Sequence, residues 1–147
     1  MRGKDPKNFF QPEEQQRLIA AIREAEKLSS GEIRIHVLRR SGADLFEKGK
    51  KVFEKLGMTR TRDRNGILFL IELEHRRFAI LGDRGIHEKV PAEFWEEIRK
   101  MLWENFHQER FVEGLCEGVS RCGEKLKMFF PLREDDRNEL SDEITSE

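Results

Sequence analysis

Tyrosine is absent from this chain of 147 residues, cysteine occurs twice, and no apolar run exceeds five residues. Each shortage excludes something. Two cysteines cannot make a disulfide framework. A run such as Ile67–Ile71 is far short of the ~20 apolar residues a spanning helix needs, so no direct membrane insertion is expected. Net charge is nearly absent too, with 28 Lys and Arg against 29 Asp and Glu. A dedicated nucleic-acid binder carries a basic excess, so nucleic acid is not an expected partner. The first residues, Met1 to Lys7, are charged and have no apolar stretch behind them. That is not a secretory leader, and a cytoplasmic address is expected.

Local catalytic patterns are missing as well. His87-Glu88 opens a zinc-protease motif, but Pro91 stands where the second histidine belongs. Gly118-Val119-Ser120 starts a nucleophile elbow that Cys122 fails to close. Cys116 and Cys122 lie six positions apart, a helical rise of ~9 Å, and read as buried thiols. Asp136-Arg137-Asn138 lacks the glycine and terminal glutamate of an EF-hand loop. No catalytic residue can be assigned from these fragments.

What the chain has in quantity is charge, 39% of its residues, unevenly placed. Residues 131–147 hold seven carboxylates against two arginines, a net of −5, which leaves +4 on residues 1–130. The division expected is a single domain over 1–130 and an acidic tail over 131–147. The tail stays solvated, folds back onto the body or engages a partner.

Pro12 with Glu13-Glu14 suits a helix start, and Leu18, Ile22, Ala25 and Leu28 keep helical spacing until Ser29-Ser30-Gly31. Ile33, Ile35 and Val37 alternate with Glu32, Arg34 and His36, the pattern of a half-buried strand. Asp44 is a good N-cap for a helix closed by Gly57. Met58 to Asn65 has no apolar period and reads as a surface loop. Ile67–Ile71 reads as a central strand, joined by a short hairpin to a strand over Phe78–Leu81. Pro91 starts a third helix, and a fourth follows from Phe111. The order predicts an α/β fold, a three-layer α/β/α sandwich on a small mixed sheet, with a parallel βαβ crossover and an antiparallel hairpin.

That topology brings three loops to one edge of the sheet: Gly31-Glu32, Asp63–Gly66 and Gly82–Gly85. Glu32, Asp63, Asn65 and Asp83 therefore converge, with Glu88 a turn further on. Oxygen ligands beside exposed carbonyls suit a hard cation such as Ca²⁺ or Mg²⁺. The same residues also read as ordinary turn residues whose carboxylates pair with Arg64 and Arg84.

Ser30-Gly31-Glu32-Ile33-Arg34, Asn65-Gly66-Ile67-Leu68, Phe78-Ala79-Ile80 leading to Gly82-Asp83-Arg84-Gly85-Ile86, Phe94-Trp95, and Phe130-Pro131 before Asp136-Arg137-Asn138-Glu139-Leu140 recur in order. Together they resemble the short soluble form of the TPM domain, whose relatives include thylakoid lumen and photosystem II repair proteins and a nematode acetylcholine-receptor modulator. The resemblance spans about Phe9 to Ile144 and implies an α/β/α sandwich. It implies divalent-cation binding, calcium in particular, at loops matching Glu32, Asp63, Asn65, Asp83 and Glu88. It also implies an acid phosphatase activity for some members, and a protein partner such as a membrane-anchored relative. Three readings follow. The chain is a cation-binding interaction module, or a metal-assisted phosphatase in which Arg84 or Arg64 neutralises phosphoryl charge, or a structural domain without a site. If the helix after Pro91 exposes Trp103 and Phe106 together, that patch is the partner surface.

Overall fold

The computed structural model describes residues 2–42, 44–132 and 142–147; Asp136–Leu140, quoted above, lies outside them. The first helix, α1 (Pro12–Glu26), starts at its proline, and the Glu14 carboxylate accepts the Gln11 N–H at 2.9 Å. Its buried residues are Leu18 and Ile22. Strand β1 (Glu32–Leu38) follows, then α2 (Leu45–Lys55), capped by Asp44, whose Oδ1 accepts the N–H groups of Phe46 and Glu47. Gly57 leaves that helix at φ 76°, the left-handed conformation expected of its stop.

Strands β2 (Gly66–Glu72) and β3 (Arg77–Gly82) form the hairpin. A six-residue helix, α3 (Arg84–Lys89), precedes α4 (Ala92–His107) and α5 (Phe111–Phe129). Helix α3 was not expected, because six residues are too few to show a hydrophobic period. Gly114 and Gly118 let α5 approach its neighbours closely: a Cβ there would stand 2.9 Å from Asn105 and 3.1 Å from Phe69.

Strand β1 runs parallel to β2, with Ile33 opposite Ile67, and β2 antiparallel to β3, with Ile67 opposite Gly82. The expected three-layer arrangement is present. One face of the sheet packs Ile33, Ile35, Val37, Ile67 and Phe69 against α1, α4 and α5. The other packs Leu38, Leu68, Leu70 and Leu81 against Val52 and Phe53 of α2.

Two further elements depart from the sequence reading. The Met58–Asn65 segment contains a 3₁₀ turn over Met58–Arg60, and Met58 and Asn65 are fully buried. A single methionine tucked under Gly66 makes no period for a pattern to register. A fourth strand, β4 (Thr145–Ser146), lies parallel along β1, giving the sheet order β3-β2-β1-β4. Residues 142–147 thus fold back onto the body. Strand β1 is consequently buried along its whole length, Glu32, Arg34 and His36 included.

Candidate functional site

At the edge reached by the start of β1, the start of β2 and the end of β3, the loops are knitted by hydrogen bonds. The Ser30 hydroxyl donates to Asp63 Oδ2 at 2.7 Å and accepts from Asn65 Nδ2 at 3.0 Å. Asn65 Oδ1, fully buried, has no hydrogen-bond partner. Arg64 holds a left-handed backbone, φ 49°, and its guanidinium forks onto Asp83, Nε to Oδ2 at 2.6 Å and a terminal nitrogen to Oδ1 at 2.8 Å. Asp83 also caps α3 by accepting the Arg84 N–H at 2.8 Å. Of the five residues expected at this edge, Asp63 and Asn65 share the Ser30 network, while Asp83 engages both its oxygens with the neighbouring Arg64 guanidinium. Glu88 is exposed on α3.

The fifth, Glu32, joins a different group. Its carboxylate, with those of Glu26 and Asp142, forms a trio whose oxygens lie within 4.8 Å of one another. Glu26 comes from the last turn of α1, and its Oε2 accepts the Ile33 N–H at 2.7 Å, so the start of β1 fixes its direction. Asp142 arrives with the returning C-terminal segment, its Oδ2 3.5 Å from Arg23 Nε. Burial, then the hydrogen bond to Asp142 and the charge of Glu32, push the Glu26 carboxyl up to about 10. Arg34, 6% exposed, is a buried cation on this face; burial lowers its pKa against the opposing pull of Asp142, Glu143, Glu26 and Glu32. Sequence reasoning found neither Glu26 nor Asp142. The first reads as an ordinary helix-end residue and the second as one acid among seven in the tail.

Further along β1 the C-terminal segment is held by His36. Its Nε2 lies 2.9 Å from Glu147 Oε1 and its Nδ1 2.7 Å from Thr145 Oγ1, while Lys48 reaches Glu147 Oε2 at 3.1 Å. A carboxylate only accepts, so Nε2 donates, and the neutral ring's Nδ1 accepts from the threonine. Burial lowers the His36 pKa, helped by Lys48 and Arg34 and opposed by Glu147. The folded value is thus below the unfolded one. The stability it contributes is present above pH ~6.5 and lost as pH falls through the folded value. Burial would raise the Glu147 pKa, but Lys48 and His36 outweigh it, and the net lowering has the same sign. Acidification from pH 7 to 5 is expected to lower the melting midpoint and to lower the protection factors of the Arg39 and Glu147 amides that close β4. His36→Gln is expected to flatten that slope. Unchanged amide protection at pH 5 would contradict the assignment.

No protein of curated function matches the chain. Solved structures do, among them the following two. The NMR structure of the BA42 protein from the psychrophilic bacterium Bizionia argentinensis superposes with a TM-score of 0.90 at 36% identity, covering 99% of this chain and all of that one. The solution structure of the N-terminal domain of a P. gingivalis protein superposes with a TM-score of 0.66 at 20% identity, over 81% of this chain and 77% of that one. The second likeness concerns the fold alone. The TPM domain profile matches residues 4–125, and with it the chain belongs to the TPM domain family.

Proposed function

We propose that this TPM domain binds a divalent cation, Ca²⁺ or Mg²⁺, at Glu26, Glu32 and Asp142, and that the ion fastens the C-terminal segment to the edge of the sheet. The observation that carries this reading is the spacing of the trio, with carboxylate oxygens within 4.8 Å of one another. Two oxygens sharing a hard cation at roughly 2.4 Å each stand at most about 4.8 Å apart. The donor set is all carboxylate, which suits both ions. Without a cation, burial first and then the hydrogen bond to Asp142 raise the Glu26 pKa, which favours a proton held between the carboxylates. A divalent ion takes the place of that proton. Because one ligand belongs to α1, one to β1 and one to the returning segment, the bound ion sets where residues 142–147 lie. The cation binding implied by the resemblance to the family supports the same chemistry.

The test is a thermal melt in chelator, in Ca²⁺ and in Mg²⁺. A ligand at a hundredfold excess over Kd stabilises the native state by about 2.7 kcal/mol, several degrees in midpoint. The shift is expected to vanish in Glu32→Gln and Asp142→Asn and to persist in Asp83→Asn. The reverse pattern would move the ion to the Asp63–Asp83 loops. No shift with either ion would end the reading.

A further inference from the structure

At the opposite edge of the sheet, the first residues of the chain, the β2–β3 hairpin and the last turn of α4 enclose a groove of about 270 Å³. Its apolar lining includes Ile71, Leu73, Phe78 and Phe106, with the Phe78 and Phe106 rings edge to face at 5.2 Å. Trp103 stands at its mouth, 59% exposed and stacked on His107 at 4.9 Å. Phe106 is half-buried, so Trp103 and Phe106 are not exposed together as an open patch would require, and Trp103 alone forms the lip of the groove.

The charge around it is positive. Arg2 is taken up by Glu14 and the Phe9 carbonyl, and Arg77 by Glu72 and Ser41. Lys4 and Arg76, both exposed, line the groove without an ion pair among the described residues. Glu72 lies within the Arg77 network, leaving Glu109 as the acid at the rim.

We infer that this groove docks an acidic segment of a partner protein, whose single aromatic or large aliphatic side chain enters between Trp103 and Phe78 while its carboxylates meet Lys4 and Arg76. Three features point to that occupant. The volume suits one large side chain rather than a cofactor, since small-molecule sites usually start near 300 Å³. An exposed tryptophan beside an apolar pocket is the usual anchor of a protein contact. The two uncommitted cations flank an apolar floor, which is complementary to acid on either side of an apolar residue. A second copy of this chain would bring its own acidic tail, of which Asp142 and Glu147 are engaged at its own sheet edge, and dimerisation is an outcome the experiment tests. The inference does not depend on the cation reading, whose residues lie at the other edge.

The experiment titrates the full chain with a short capped peptide of acidic residues around one phenylalanine, following tryptophan emission. Trp95 is buried and Trp103 is not, so the signal belongs to the groove and is expected to disappear in Trp103→Phe. Saturable binding is expected, weakened about tenfold by Arg76→Glu and by raised salt, and lost when serine replaces the peptide's phenylalanine. Lys4→Glu, on a different segment, is expected to weaken binding similarly and guards against a disturbed hairpin. Four results would each overturn the proposal: no binding, equal binding of a lysine-substituted peptide, equal affinity for phenylacetate alone, or concentration-dependent dimers that Arg76→Glu abolishes.

Discussion

Glu72→Ala is expected to lower the unfolding free energy by about 4 kcal/mol, read as a drop in the urea midpoint without a change of slope. The Glu72 carboxylate is fully buried at the end of β2. It accepts the Ser41 hydroxyl at 2.5 Å, the Ser41 N–H at 3.1 Å, the His75 N–H at 3.0 Å and the Arg77 guanidinium at 2.7 Å. Alanine removes the acceptor from all of these donors at once and takes from the half-buried Arg77 the carboxylate it is bonded to. Burial would raise the Glu72 pKa, but the hydrogen bonds from Arg77, Ser41 and His75 outweigh it and hold the carboxyl well below the usual carboxylate range. Its contribution is therefore complete above pH ~4.5 and lost as pH falls towards the folded value. Glu72→Gln keeps one acceptor and is expected to cost about half as much while removing this part of the acid slope. Glu74 next door pairs with Arg39 at 3.7 Å, half-buried, and Glu74→Ala should cost under about 1 kcal/mol. Equal losses at the two positions would refute the buried-network account.

The layers of the fold were legible because they rest on long periodic elements. Leu18 and Ile22 on α1, the alternating Ile33, Ile35 and Val37, and the unbroken Ile67–Ile71 dictate which faces meet. The convergence of Asp63, Asn65 and Asp83 was legible for the same reason: strand directions alone send their loops to one edge. The rest was hidden by contacts that have no local signature. Strand β4 is two residues long, and what holds the segment is a set of side-chain bonds from His36 and Lys48 across about a hundred positions of chain. Glu32, Arg34 and His36 read as solvent-facing because alternation on one strand cannot show that another segment covers it. Glu26 and Asp142 meet only when that segment returns, so neither carried a mark of its own. In physical terms, the sequence shows the faces of its elements, and leaves unspecified which polar residues the last chain segment will bury.

Gly85→Ala is expected to cost about 3 kcal/mol, a large loss for the addition of one methyl group. No strained dihedral is involved; the reason is a close approach. A Cβ at Gly85 would lie 2.2 Å from the Asp63 carbonyl oxygen and 2.6 Å from that of Arg64, both backbone atoms that cannot rotate away. The Gly85 N–H meanwhile donates to that Arg64 carbonyl at 2.9 Å. Relief requires the 63–65 loop to retreat by roughly 1 Å, which stretches this bond, the Arg64–Asp83 fork and the Ser30 links to Asp63 and Asn65 together. Arg84→Ala, one position away and exposed, is expected to stay within about 0.5 kcal/mol. Equal effects at the two positions would show that the loop yields without cost. The same variant also separates the two clusters at this edge. Glu26 and Asp142 lie on α1 and the C-terminal segment, outside the displaced loop, so a cation-induced rise in melting midpoint should survive in Gly85→Ala from its lower starting point. If the rise disappears with the loop geometry intact elsewhere, the ion depends on Asp63 and Asp83, and the trio is a proton-sharing structural contact.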